Sequence, residues 1–345
     1  MSALPLSARV TAPSHVSVPV DADGITWRPA RADDVDAIAA LHRRMDPLDH
    51  PHYITSREEV AVEFAHSYVD AERDTVAALD ADGTVIAYGF SILPPGQETL
   101  VRVILFGGVD PDHRGRGLGR ALLEWQESRG RQHLAGSSRT LPGWMLCFAD
   151  EEAVASVRLF ERAGFDTARY FLELRRDLSL PIPEVSLPDG VRLIPYDPSW
   201  RERTRDAKNE AFRDHWGSQP ASEEQWESFV GMDVFRADLS FLVVAPDGDG
   251  GERVIAFVLT EVNEDDWQVQ GYRGAYIALV GVVRDWRGKR LAQALLARTM
   301  TAYREVGLEK ANLDVDSDSP TGALGLYTGM GFEQATRSIG FVKTF

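Results

Sequence analysis

The feature that most constrains this chain is a stretch that occurs twice. Gly107-Gly-Val-Asp-Pro-Asp-His-Arg-Gly-Arg-Gly-Leu-Gly-Arg-Ala-Leu-Leu123 is an apolar strand that runs into a glycine- and arginine-rich turn and then into a helix. Val280-Gly-Val-Val-Arg-Asp-Trp-Arg-Gly-Lys-Arg-Leu-Ala-Gln-Ala-Leu-Leu296 repeats the device, and Gly115 and Gly288 lie half of the 345-residue chain apart. A second pair of segments keeps the same offset closely: Arg158-Leu-Phe160-Glu-Arg-Ala-Gly164-Phe165 aligns with Gly325-Leu-Tyr327-Thr-Gly-Met-Gly331-Phe332. The chain therefore reads as a duplication, and 44% hydrophobic content is ample for two ordinary cores.

The two halves run through the same programme. In the first, Ile25–Pro29 alternates as a strand, Ala32–Leu41 has helical spacing, Met45–Glu58 is a Pro- and His-rich loop, and a second helix covers Arg57–Tyr68. Strands follow at Thr75–Leu79, Thr84–Leu93 and Leu100–Val109, then a helix to about Gly130, a strand at Gly143–Phe148, a helix at Glu151–Ala163 and a closing strand at Phe165–Leu174. The second half gives strands at Val191–Pro195, Leu239–Ala245, Arg253–Glu261, Tyr276–Val283, Ala311–Val315 and Phe332–Thr344. Its helices are Trp200–Phe212, Ser222–Met232 with Ser222 as cap, Leu291–Val306 and Pro320–Met330. The expected division is a flexible extension over 1–24, one domain over 25–176, a proline-bearing linker over 177–190 and a second domain over 191–345.

Net charge of −16 argues against a nucleic-acid partner, which needs a basic face. No run of ~18 apolar residues suggests a membrane span, and the N-terminal segment lacks the basic start and apolar core of a signal peptide. A single cysteine, Cys147, allows no internal disulfide and fits a cytoplasmic, reducing location. No metal is expected, because His50-Pro-His52 has no third ligand at a recognisable spacing. Against this acidic background, Arg114, Arg116 and Arg120 in one half and Arg284, Arg287, Lys289 and Arg290 in the other form basic islands.

A glycine-rich turn that opens a helix presents unpaired backbone N–H groups at the positive end of the helix dipole, a site suited to phosphate. Neither a Gly-Lys-Ser/Thr ending nor Gly-x-Gly-x-x-Gly spacing is present, so the two common phosphate loops do not apply. The pattern Arg-x-x-Gly-x-Gly/Ala directly after a Val-x-Pro strand end resembles the pyrophosphate loop of the GNAT acetyltransferase superfamily. The first copy, Arg114-Gly115-Arg116-Gly117-Leu118-Gly119 after Val109, matches fully. The second, Arg287-Gly288-Lys289-Arg290-Leu291-Ala292 after Val282 and Val283, has Arg290 where the family usually has glycine.

The resemblance implies an α/β (α+β) chain of two tandem GNAT domains, each a mixed, mostly antiparallel sheet flanked by helices, using acetyl-CoA or another acyl-CoA as co-substrate without a metal. It also implies that the Tyr327 hydroxyl faces the thioester, where a phenol can protonate the leaving thiolate; proton donation of this kind is worth roughly 100- to 10,000-fold. Phe160 lacks that hydroxyl, which places catalysis in the C-terminal half and leaves the N-terminal half degenerate. The pantetheine is expected to pair with the strand edge at Val280–Val283, with Val282 and Val283 among the cofactor contacts, and one N–H of that strand to polarise the thioester carbonyl. Glu261 is the candidate base, Asp314 and Asp316 are candidates for acceptor contact, and His215 and Trp216 for lining its site.

Two functions remain open on these residues. One is an N-acetyltransferase acting on the primary amine of a small molecule by direct transfer, as a monomer or homodimer. The other is an acyl-CoA-binding or regulatory protein without turnover, or an enzyme that works through its N-terminal half. Tyr327 favours the first.

Overall fold

A computed structural model describes residues 4–248, 250–319 and 321–345. In chain order the first half comprises α1 (Leu6–Arg9), β1 (Thr26–Arg28), α2 (Val35–Asp49), α3 (Arg57–Ala65), α4 (Ala71–Asp74), β2 (Thr75–Leu79), β3 (Val85–Ile92), β4 (Val101–Val109), α5 (Leu118–Ala135), β5 (Gly143–Asp150), α6 (Val154–Arg162) and β6 (Asp166–Asp177). The second comprises β7 (Arg192–Pro195), α7 (Arg201–Ala211), α8 (Glu223–Gly231), β8 (Phe241–Pro246), β9 (Glu252–Glu261), α9 (Glu264–Gln270), β10 (Gly274–Val282), α10 (Leu291–Glu305), β11 (Lys310–Asp316), α11 (Ala323–Gly329) and β12 (Glu333–Thr344).

Two compact units result, and their limits differ from the expected domains. One is Met1–Arg169 together with Ser338–Phe345, the other Tyr170–Arg337. The reason lies in the last strand of each half. Residues Ser338–Thr344 of β12 pair antiparallel with β5, so the C-terminus of the chain completes the sheet of the first unit. Residues Phe171–Asp177 of β6 pair antiparallel with β11 and complete the sheet of the second. Phe341 is fully buried in the first unit, with its ring 5.5 Å from that of Phe160, and Leu174 is fully buried in the core of the second.

Within the first unit the strands run β1-β2-β3-β4-β5-β12, antiparallel except for the parallel β4–β5 pair. Every residue of β3 is buried, as a central strand covered on both faces requires. The segment expected to be a free extension is not free. Leu6 is fully buried, and the backbone N–H groups of Leu6 and Ser7 donate to Arg139 O and Ser137 O; Met1–Ala3 lie outside the described residues. Helix α2 also outlasts the expected loop boundary, continuing through Pro47 to Asp49. Proline there removes one helical hydrogen bond only in the last turn, and Asp46 holds that turn by accepting from His42 Nδ1 (2.8 Å) and from Thr55 N (2.8 Å). His50 of the His-Pro-His sequence bonds Tyr53 O and lies 3.4 Å from Asp46.

The second unit orders its strands β6-β11-β10-β9-β8-β7, with β10–β11 the parallel pair. Strands β8 and β9 are almost wholly buried, and α10 covers them with Leu291, Leu295, Leu296, Met300 and Tyr303 on one face. Each such buried side chain contributes roughly 1.5–3 kcal/mol. Tyr303 keeps its hydroxyl satisfied against Thr260 Oγ1 at 2.7 Å. Ser222 caps α8 as expected, in a reciprocal box with Gln225. The expected linker lies along this unit: Leu178 is buried and donates to Glu309 O, and Ile182, Val185 and Leu187 pack on its core. Helix α9, which has no counterpart in the sequence expectation, starts at the Asn263 cap and stops at Gly271. Helix α11 starts at Ala323, later than Pro320, which lies outside the described residues, as does Asp249 of the preceding turn at Pro246–Gly251.

Candidate active site

The opening in the second unit arises from a ladder that stops early. Strand β10 pairs with β9 from Tyr276 to Val282 but with β11 only over Gly274–Tyr276, and beyond Tyr276 the two parallel strands separate. The register against β9 jumps between Ile277 and Leu279, so Ala278 is bulged at the point of separation, which bends β10 away from β11. A cavity of about 370 Å³ occupies the gap, walled by Leu279–Val282 on one side and Leu313–Asp316 on the other. The loop before α10 closes one end, and Tyr327, Phe212 and His215 also line it. Trp216 rests on Phe171 at 6.1 Å between ring centroids.

Strand alternation decides which backbone groups face this gap. Val283 N–H is bonded to Ile255 O at 2.9 Å, and Val283 is buried. It therefore does not face the opening, contrary to expectation, whereas Val282, one residue earlier, points its N–H the other way and lines the cavity.

At the loop, Arg287, Gly288, Arg290, Leu291 and Ala292 line the cavity, while the Lys289 ammonium stands 4.3 Å over the Trp286 ring. The first N–H of the expected cradle, that of Arg287, is used by Arg284 O, so the donors left for an anion begin at Gly288 and include the first turn of α10. The Arg287 side chain braces the turn from within: Nε donates to Val282 O (3.3 Å), Nη2 to Ala211 O (2.8 Å), and Nη1 lies 3.2 Å from Asp214. Asp214 also binds Arg284, and the two guanidinium groups hold its carboxyl below the usual range. Two of the four cations of the basic island thus share one carboxylate. Arg290 carries a left-handed backbone, φ +63°, immediately before the helix.

The first unit builds the same loop. Arg114 Nε donates to Val109 O (3.1 Å) and Nη2 binds Asp49 (2.7 Å), Gly117 takes the left-handed conformation before α5, and Leu118 is buried as the first helical residue. Gly115 and Arg116 form the turn, and Gly119 faces Leu159. Strands β4 and β5 pair only over Val101–Ile104 and Gly143–Leu146 before parting. The position of the phenol is taken by Phe160, packed between Phe165 and Phe341.

Of the ionisable groups that line the cavity of the second unit, Tyr327 and Asp314 stand in different states. Tyr327 is buried on α11 beside Phe332, and burial pushes its phenol above the ordinary value, so it remains a proton donor. Among the described residues no protein group hydrogen-bonds its hydroxyl. Asp314, on β11, accepts a hydrogen bond from Tyr276 OH at 3.0 Å. It reaches solvent through the opening while protein crowds its other sides; that crowding, with the charge of Glu173 opposite it on β6, outweighs the Tyr276 bond and lifts its carboxyl to about 6. The expected base, Glu261, stands elsewhere: it ends β9 opposite Tyr276 and is not among the residues lining the cavity. Asp316 and Ser319 do line it. The alternation Asn-Leu-Asp-Val-Asp in β11 was the signal for Asp314, but its partners Tyr276 and Glu173 come from other strands.

Comparisons with known proteins agree with this geometry. The family model for the acetyltransferase (GNAT) family matches twice, over residues 36–165 and 201–332. A mycothiol acetyltransferase from Salinispora arenicola is 28% identical, with 99% of this chain and 98% of that protein covered. A second protein of that name, from Thermobispora bispora, is 29% identical over 74% of this chain and 79% of its own. Among solved structures, a GCN5-related N-acetyltransferase from Sphaerobacter thermophilus superposes with a TM-score of 0.67 at 25% identity, covering 94% of this chain and 97% of that one. A tandem GNAT protein from the clavulanic acid biosynthesis pathway gives 0.66 at 14% identity, covering 93% and 98%, and so shares the fold. With its loop repeated, its parallel strands parted in both units and both halves matched, the chain belongs to the GNAT acetyltransferase family as a tandem N-acetyltransferase.

Proposed function

We propose that this N-acetyltransferase moves an acetyl group from acetyl-CoA directly to the primary amine of a small molecule, with the chemistry in the Tyr170–Arg337 unit. The observation that carries the reading is the cavity that joins, in one opening, a helix-opening loop with free N–H donors, the parted edge of β10 and the Tyr327 phenol. Anions fit the loop for the reasons of helix polarity given above, and the pantetheine of an acyl-CoA can pair with the edge of β10 in the manner of an added strand. Val282 N–H then supports the developing oxyanion, and Tyr327 protonates the departing sulfur.

The first unit shares the loop and the strand split but offers no phenol at Phe160, which supports binding of an acyl-CoA there without turnover. The relatives' name makes a mycothiol-related amine the first acceptor to test, at 28–29% identity. The test is release of free thiol from acetyl-CoA against a panel of amines that includes it, together with amino-sugar and amino-acid amines. Turnover with at least one amine, lowered at least tenfold when Tyr327 becomes Phe, is the expected result. No thiol release above the water rate with any of them would reject the reading.

A further inference from the structure

We propose that Asp314 is the group that receives the proton of the acceptor amine, held in place by Tyr276 and tuned by Glu173. The inference rests on acyl transfer in the second unit and adds to it the base, for which Glu261, at the end of the preceding strand, is the candidate from sequence.

Three observations point to Asp314. It is on the wall of the cavity opposite the freed edge of β10, while Tyr327 lines the same cavity from α11; Glu261 lines no part of it. Its Oδ2 accepts from Tyr276 OH at 3.0 Å, and Tyr276 is the last β10 residue paired with β11, at the apex where the strands part. The hydroxyl thus orients the carboxylate at the mouth of the split, leaving Oδ1 for a ligand. The third is its charge environment. Glu173 sits opposite Asp314 on β6, bonded to Arg175 Nε (3.0 Å) and Thr336 Oγ1 (2.8 Å), and Glu261 faces Tyr276 from β9. No cation contacts Asp314 directly among the described residues. A carboxyl at about 6 is ionised at neutral pH, when an alkyl amine arrives as ammonium, yet is basic enough to share a proton with it.

The step balances. Asp314 docks the ammonium and takes one of its protons, which passes to solvent. The neutral nitrogen attacks the thioester carbon, a C–N bond forms and the C–S bond breaks. Sulfur leaves as thiol with the proton of Tyr327, and the proton shed by the nitrogen as it becomes an amide returns to the phenolate. The sum is ammonium and thioester giving amide, thiol and one proton.

Strand β6 comes from the first half of the sequence, so the duplicated halves share one site: Glu173, encoded before the linker, sets the charge around a base encoded far after it.

The experiment is the pH profile of kcat at saturating acceptor, on the full-length protein, for wild type, Asp314→Asn, Tyr276→Phe, Glu173→Gln and Glu261→Gln, with acetyl-CoA affinity measured separately. Wild type should lose turnover as pH falls through an acid limb. Asp314→Asn should lower kcat at least 100-fold at pH 7, abolish that limb and leave acetyl-CoA affinity within threefold. Tyr276→Phe removes a donor to the carboxylate and should move the limb up by about half a unit or more; Glu173→Gln removes a negative neighbour and should move it down. A merely structural role for either residue would not produce opposite shifts. Glu261→Gln should leave the limb where it is. The assignment fails if Asp314→Asn keeps the limb, if the two tuning variants do not shift it in opposite directions, or if Glu261→Gln is the variant that erases it. Wild type inactive with every amine would instead fail the reading of function on which this rests.

Discussion

Arg290 adopts the left-handed backbone that Gly117 adopts at the equivalent point of the other repeat, with φ of +63° and +89° respectively. Both residues directly precede a helix whose first turn forms the anion-facing end of the loop. The geometry of the turn is therefore kept, although only glycine takes it without steric cost, and an L-residue pays roughly 1–2 kcal/mol there.

Replacing Arg290 with Gly relieves that strain but loosens the unfolded chain by about 0.4–1 kcal/mol, so the net gain in stability is on the order of 0.5 kcal/mol. A charge-assisted hydrogen bond from Arg290 to a phosphate would be screened at this exposed position to about 1 kcal/mol, less than a factor of ten in affinity. Arg290→Gly should melt slightly higher and bind acetyl-CoA within tenfold of wild type by calorimetry. A loss of more than a hundredfold would make Arg290 the principal phosphate ligand.

Tyr327→Phe should lower turnover at least tenfold and leave acetyl-CoA affinity within a few-fold, because it removes a proton donor and almost no contact surface. Steady-state thiol release and equilibrium binding separate the two. Unchanged turnover would take Tyr327 out of the mechanism.

Phe341→Ala should destabilise the first unit, not the second, although Phe341 belongs to the second half of the sequence. A fully buried phenylalanine truncated to alanine costs about 3–5 kcal/mol, a large part of the stability of one domain. Hydrogen exchange should lose protection in α5 and β5 while α10 and β11 keep theirs. The reverse pattern would contradict the strand exchange. For the same reason, a fragment beginning at the linker would lack β6 and leave the edge of β11 unpaired, so it is a poor vehicle for testing the second unit.

Much of the architecture was legible because the turn and the Gly-Phe motif recur at nearly the same offset, and a repeated strand-turn-helix can be read without tertiary information. The strand exchange was not. The apolar alternation of Phe171–Leu174 and of Ile339–Phe341 states which face is buried but carries no record of which sheet supplies the neighbour. The split between β10 and β11 was equally hidden, since it depends on where a ladder ends. Asp314 could be placed on its strand from sequence, but its raised proton affinity follows from burial and from the charge of Glu173, working against the Tyr276 bond, and only the fold creates those surroundings. The arginines after each strand show the opposite failure: Arg114 and Arg287 look like phosphate ligands in sequence and are spent on carbonyls and on Asp49 and Asp214.

The stability of the first unit should depend on pH through one carboxyl. Glu63, on α3, is lifted to about 7 by burial and by the charge of Glu59 one turn earlier. Its folded-state value lies above that of the unfolded chain, so between about pH 4.5 and 7 the folded protein holds a proton that the unfolded chain has released. The contribution of this group to stability is therefore full below that window and is lost as pH rises through it, by an amount on the order of 2 kcal/mol after allowance for its partial exposure. Glu63→Gln keeps the shape and cannot ionise. It should match wild type in urea unfolding near pH 5 and exceed it at pH 8, with the difference growing between those values. Glu59→Gln should produce a smaller gain in the same direction, by removing the neighbouring charge. Equal stability of Glu63→Gln and wild type at pH 8 would mean that Glu63 ionises in the folded state without cost.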